Sequence, residues 1–233
     1  MKIFAHIRWL YATIVIFLGL ILSIILFPVF KAPRSQKIAA RFIKALTNFD
    51  IEVEGKEDPK AQMFLINHQS DLDIEVIELI SNKELAWVAK KELFEVPFFG
   101  LAMKLPEHIA VDRKDKKSLL KLLKDAKDRL DKGKTLAIFP EGTRSKGEKM
   151  LPFKNGAKLI ADKYALRVQP IVLIGTRNCF DIKSFTYNPG IIKAIFLDSF
   201  IADKDDENWL KDLREKMQET YNHNSTITKE DLE

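Results

Sequence analysis

His68 and Asp73 stand in the segment MFLINHQSDLDIEVIELI, where an apolar run closes at Asn67 and an amphipathic pattern begins. An aspartate carboxylate that accepts from one imidazole nitrogen fixes the ring tautomer and leaves the other nitrogen free to take a proton. Such a pair can act as a general base toward an alcohol. The spacing has plainer readings too. Ser70-x-x-Asp73 fits a helix capping box, in which the carboxylate only steadies a helix start, and His68 could be a satisfied core histidine. Covalent chemistry is poorly served. There is no Gly-x-Ser-x-Gly elbow, Ser70 is a marginal nucleophile, and Cys179, the single cysteine, falls after an apolar run.

A second chemical segment, AIFPEGTRSKGEKMLPFKNGA, follows an apolar run ending at Phe139. Gly142 allows close backbone approach to a ligand, Thr143 brings a hydroxyl, and the Arg144 guanidinium can grip a phosphate through two parallel hydrogen bonds. A surface turn with an exposed arginine is the alternative.

Both segments need a scaffold that aims strand ends at one place. Short apolar runs at Ile51–Glu54, Gln62–Asn67, Leu85–Lys90, His108–Val111, Lys134–Phe139, Val168–Ile174 and Ile191–Leu197 read as strands, several of them continuous, as in strands covered on both faces. Helical patterns lie between them: one opens at Ile74 after the first motif, and others cover Ser118–Leu130, Lys154–Tyr164 and Glu207–Tyr221. This alternation predicts an α/β domain with a mostly parallel or mixed sheet flanked by helices. In such folds, ligands bind beyond the C-terminal ends of strands, which is where His68 and Glu141 fall.

Ahead of this domain, Trp9 to Phe30 contains no charged residue. As a helix, that run spans roughly 33 Å, about one hydrocarbon thickness. It is long for a signal peptide, and no small-residue cleavage site follows. Pro28 is expected to end or kink the helix near Leu26 or Phe27. Beyond it, Ile38, Phe42, Leu46 and Phe49 recur at helical spacing among Lys31, Arg34, Lys37, Arg41 and Lys44. That is a basic amphipathic helix suited to a membrane interface, or to packing on the domain. The first helix either spans, with the basic excess placing the domain in the cytoplasm, or pairs with the second as a hairpin in one leaflet. The expected organisation is thus 1–49 as membrane-anchoring helices, 50–221 as the catalytic domain and 222–233 as a polar tail.

Composition sets further bounds. The chain has 233 residues and 46% hydrophobic residues, enough for one packed domain, and its formal net charge is +5. The basic excess lies beside the apolar block and no nucleic-acid motif is present, so an anionic membrane is the expected partner. A single cysteine excludes an internal disulfide and a cysteine-zinc cluster, and the four histidines form no H-E-x-x-H motif.

Taken in order, the segments resemble the glycerolipid acyltransferase family, 1-acyl-sn-glycerol-3-phosphate acyltransferases in particular. NHQSDLD matches the family's Asn-His-x4-Asp motif, IAVDR (Ile109 to Arg113) the second, FPEGTRS the third, and VQPIVLIG (Val168 to Gly175) the fourth; AKKELFEVPFFG, with Lys90 at its basic position, fits between the first two. The resemblance covers roughly residues 60 to 200. One position departs from it: Glu107 stands where the family usually has glycine.

The resemblance implies that His68 removes the acceptor hydroxyl proton while Asp73 orients and stabilises the imidazolium. It implies that Lys90, Arg113, Glu141, Gly142, Thr143 and Arg144 bind the phosphoglycerol end of a lysophospholipid, with no metal and no cofactor. The donor would be acyl-CoA or acyl carrier protein, the product phosphatidic acid, and the site the cytoplasmic face of a bacterial inner membrane. Another lysophospholipid, glycerol 3-phosphate, or an inactive lipid-binding protein are the competing expectations.

Overall fold

A computed structural model describes residues 2–112 and 118–230. The predicted α/β architecture is present, with helices on both faces of a mixed eight-stranded sheet. All seven predicted strands form: β1 (Asp50–Glu54), β2 (Met63–Ile66), β3 (Leu85–Lys90), β4 (Ile109–Val111), β5 (Thr135–Ile138), β6 (Arg167–Ile174), and, late in the chain, a strand at Ile191–Phe196. A short hairpin of β7 (Phe180–Asp181) and β8 (Thr186–Tyr187) precedes that strand, which becomes β9, and β10 (Phe200–Ile201) follows it. The sheet order is β1-β9-β6-β2-β5-β3-β4, with β10 on β6.

β2 is central, and all four of its residues are buried. It runs parallel to β5 on one side (Leu65 opposite Ile138) and to β6 on the other (Ile66 opposite Ile171). Only β9 and β10 run antiparallel to β6. The pleat sends Met63 and Leu65 into one core and Phe64 and Ile66 into another. The first core lies under α4 (Ser118–Asp131), α5 (Asn155–Tyr164) and α7 (Trp209–Glu230); the second lies under α2 (Leu72–Ile80) and the end of α1 (Lys2–Thr47). α3 (Phe99–Lys104) and a single turn, α6 (Thr176–Cys179), had no clear periodic signal. α7 continues through 222–230, where a polar tail was expected.

The N-terminal region departs from expectation in detail. The break falls at Lys31 (φ 57°, ψ 178°) and Ala32 (φ −77°, ψ 149°), later than Pro28 suggested. Pro33 explains this: a proline pushes the preceding residue out of the helical region. The two arms then lie side by side. Tyr11 Oη donates to the Leu46 carbonyl, and a Cβ on Gly19 would stand 2.5 Å from Ile43 Cδ1. The second arm buries Ala39, Ala40, Ile43 and Thr47, while Leu46 of the expected stripe is exposed. Small residues let this arm sit close to the domain. The first arm buries Ala12 and Val15 and leaves Ile3, Phe4, Ile7, Leu10, Ile14, Phe17 and Leu18 exposed.

Candidate active site

His68 follows directly from the end of β2, and its backbone is held from several directions. Asn67, fully buried, exchanges two hydrogen bonds with Leu173 of β6: its amide donates to the Leu173 carbonyl at 2.9 Å, and Leu173 N donates to Asn67 Oδ1 at 2.7 Å. His68 N donates to Glu141 Oε1 (2.8 Å), and the His68 carbonyl accepts from Ser145 N (2.8 Å). The turn therefore has little freedom to move.

The imidazole is fixed on two more sides. Its Nδ1 lies 2.8 Å from Asp73 Oδ2, and its ring stacks on Phe139 at 3.9 Å and 10°. Asp73 is fully buried, and the same Oδ2 accepts from Gln69 N (2.6 Å) and Ser70 N (2.8 Å). One oxygen thus accepts from the Ser70 amide, as half of a capping box would, and also holds the imidazole, while Ser70 Oγ accepts from Leu72 N (3.1 Å). As an ionised acceptor, Asp73 requires the proton on Nδ1 and leaves Nε2 as the imidazole's basic atom.

Glu141, expected at the phosphoglycerol end of the acceptor, turns both oxygens toward backbone amides. It is 1% exposed, and both its oxygens are engaged: Oε1 by His68 N, and Oε2 by Leu151 N at 2.7 Å. Burial raises its pKa, against those two donors and the nearby His68. The two contacts join the His68 turn to the segment at Leu151. Gly142 beside it holds φ 69°, which turns the chain sharply back from β5.

A cavity of about 430 Å³ opens beside His68. Asp71, Lys90, Gly142, Thr143, Arg144 and Lys183 border it together with His68; Leu20, Ile74, Leu93, Phe99 and Met103 give it apolar walls. Of the sequence-predicted site residues, His68, Lys90, Gly142, Thr143 and Arg144 thus share one space, with Asp73 behind His68. Arg113 lies outside the described residues. Arg144 Nη1 is hydrogen-bonded to Asp71 Oδ2, a partner that spacing did not reveal. Desolvation raises the Asp71 pKa, and Arg144 opposes it.

The inner wall carries polar groups that no motif announced. Glu78, 5% exposed, accepts from Trp87 Nε1 at 2.8 Å, and burial pushes its pKa up to about 7. His108 is driven down to about 3 by burial and by Lys134 and Arg129, so it is neutral. Its Nδ1 accepts from Trp87 N (3.2 Å), which puts the ring proton on Nε2. The Gln36 side-chain amide lies 3.0 Å from that nitrogen, and its Oε1 otherwise has no partner. The amide orientation that satisfies both groups turns the oxygen toward the ring.

The candidate nucleophiles are occupied. Ser70 is buried, and its hydroxyl donates to the Phe180 carbonyl. Cys179 is buried and its thiol is pushed up to about 11 by desolvation, so it is not a thiolate at neutral pH. Glu107 holds φ 59°, the left-handed region that glycine adopts without strain. Its carboxylate pairs with Lys132 (2.7 Å) and Lys134 (3.1 Å), which lower its pKa.

Residues 50–174 match the Acyltransferase family model. The chain is 41% identical over 221 residues to the 1-acyl-sn-glycerol-3-phosphate acyltransferase of Helicobacter pylori strain J99, covering 93% of each chain. It is 32% identical over 218 residues to the Saccharomyces cerevisiae protein of the same name, covering 88% of this chain and 72% of that one. Its fold matches the crystal structure of the 1-acyl-sn-glycerophosphate (LPA) acyltransferase PlsC from Thermotoga maritima with a TM-score of 0.72, 23% identity, and coverage of 98% and 97% of the two chains. The chain belongs to the acyltransferase family.

Proposed function

We propose that this protein transfers a fatty acyl group from an acyl thioester to the sn-2 hydroxyl of lysophosphatidic acid, giving phosphatidic acid for phospholipid synthesis. The observation that carries the reading is the His68–Asp73 pair at one side of a cavity with basic side chains beside the pair and apolar walls beyond. The names of the similar proteins point the same way.

In this reading His68 Nε2 takes the hydroxyl proton as the acceptor oxygen attacks the thioester carbonyl. Asp73 stabilises the imidazolium through Nδ1. The carbonyl re-forms as the carbon–sulfur bond breaks, and the proton passes to the leaving thiolate. No acyl-enzyme intervenes, in keeping with the occupied Ser70 hydroxyl and the protonated Cys179 thiol. Thr143, Arg144 and Lys90 receive the phosphoglycerol end, with Arg113 as a further cation, while the chain occupies the apolar walls. The donor is acyl-CoA or acyl carrier protein, and no cofactor takes part.

The exposed apolar face of the first arm, flanked by the basic second arm, supports a hairpin seated in one leaflet. On this reading 1–49 anchors the catalytic domain (50–221) to the cytoplasmic face of the membrane. The supporting feature is the run of Lys and Arg along the second arm, which favours an anionic leaflet surface.

The test is His68→Ala. Loss of the general base lowers kcat by about 10²- to 10⁴-fold, with the circular-dichroism spectrum and vesicle binding retained. Near-normal turnover would remove His68 from the mechanism. An acceptor panel checks the substrate: equal or faster acylation of lysophosphatidylcholine would displace lysophosphatidic acid.

A further inference from the structure

The basic groups of the cavity border and the β7–β8 hairpin are not equivalent. Arg144 is already paired with Asp71, and Arg177 with Asp181 (3.2 Å). Among the described residues, Lys90 and Lys183 border the cavity without an ion-pair partner. Lys183 belongs to none of the motif segments. It sits in the loop of the β7–β8 hairpin, and spacing gives no reason to connect it with His68.

The tertiary structure makes the connection. The Phe180 carbonyl, where the hairpin begins, accepts from the buried Ser70 hydroxyl in the His68–Asp73 turn. The loop is then shaped by one carboxylate: Asp181 Oδ1 accepts from Lys183 N (3.0 Å), and Oδ2 accepts from Ser184 Oγ (2.7 Å). Its far side is fastened to the membrane arm. Phe185 lies against Trp9 (4.7 Å) and His6 (5.6 Å), and Tyr187 Oη donates to the Thr47 carbonyl (2.9 Å). Ile182 and Phe185, in the same loop as Lys183, are exposed apolar side chains, and Phe185 touches the first arm. Lys183 is thus a cation tied at one end to the catalytic turn and at the other to the lipid-facing helix.

We propose that Lys183 is a specificity-determining residue that binds the acceptor's phosphate monoester as it rises from the bilayer to His68. This deepens the functional reading above and rests on it. A phosphate monoester carries nearly two negative charges near neutral pH. Arg144 is paired with Asp71, so Lys90 supplies one unpaired charge and a second is needed to match the phosphate. Lys183 supplies an unpaired charge on the border of the cavity that Gly142–Arg144 also line, and the exposed Ile182 and Phe185 keep it at headgroup depth.

The test is steady-state kinetics of the full chain and its Lys183→Met and Lys183→Arg variants, with lysophosphatidic acid in mixed micelles and either acyl-CoA or acyl carrier protein as donor. Loss of a charged contact at an exposed position raises the acceptor KM about 5-fold. The change should be the same with both donors, with kcat and vesicle partition little altered, and Lys183→Arg should recover most of it. An unchanged acceptor KM in Lys183→Met overturns the proposal. So does an increase confined to the acyl-CoA KM, which would assign Lys183 to a donor phosphate. So does an increase matched by an equal loss of vesicle binding, which would make the lysine a membrane contact only. A wild-type chain inactive on lysophosphatidic acid would instead refute the functional reading itself.

Discussion

Replacing Asp73 by asparagine separates the two duties that one oxygen performs. The carboxylate caps the turn by accepting from Gln69 N and Ser70 N, and it holds the His68 ring at 2.8 Å. An asparagine oxygen in the place of Oδ2 can accept the same three bonds. Its amide nitrogen would take the place of Oδ1, a buried atom with no hydrogen-bond partner. Geometry is therefore largely kept while the charge is lost. In the transition state His68 becomes an imidazolium whose charge centre lies about 4 Å from that carboxylate. At an effective dielectric of about 20 the lost attraction is about 4 kcal/mol, or about 10³-fold in kcat. The assay is single-turnover acyl transfer at saturating acceptor, with a thermal melt in parallel. A melting temperature near that of the native chain together with a kcat within about 10-fold of it would refute the reasoning. Asp73 would then be a helix cap and no more.

Two further outcomes follow from groups away from the pair. Glu107 holds φ 59°, so Glu107→Gly relieves strain of roughly 1 kcal/mol while losing the exposed pair with Lys132 and the pair with buried Lys134, which keeps Glu84 as a partner. Glu107→Ala loses the pairs and keeps the strain, so chemical denaturation should rank alanine about 1 kcal/mol below glycine; equal stabilities would contradict this account. Glu78 has a folded pKa near 7, above its ordinary 4.5, so below pH 4.5 it is protonated in both states and burial costs nothing extra. As pH rises from 4.5 through 7 the unfolded chain ionises first and stability is progressively lost. Glu78→Gln should therefore gain in melting temperature relative to the native chain across that window, and a pH-independent difference would show the carboxyl to be ionised in the fold.

The order of strands, the two chemical segments and the apolar anchor were legible because each is a local pattern. A continuous apolar run marks a strand covered on both faces, as in β2 and β6. His68 and Asp73 lie within one turn of chain, so spacing alone could bring them together. Position 107 also carried a readable signal: a non-glycine where the family pattern wants glycine, and its φ is the reason. The kink of α1 was misplaced because two prolines competed, and the extended geometry required before Pro33 decided it. The expected stripe of the second arm was met in part: Phe49 is buried and Phe42 packs on the core, while Leu46 is exposed and Ala39, Ala40 and Ile43 are buried beside them.

What the sequence by itself determined is the chemistry on offer: a histidine with an aspartate to orient it, an arginine-bearing turn and a lipid-facing helix. Only the tertiary structure decided how the groups are used. Glu141 looked like a ligand-binding acid until β5 placed its two oxygens against the backbone amides of His68 and Leu151. Arg144 looked free until Asp71 was seen beside it, and Lys183 had no visible connection with His68 until the Ser70–Phe180 hydrogen bond joined hairpin to turn. The physical reason is common to all three. Charge and hydrogen-bonding capacity are fixed by residue type, but whether a group faces a partner, a cavity or the backbone depends on contacts between residues separated by many tens of positions, which no local pattern records.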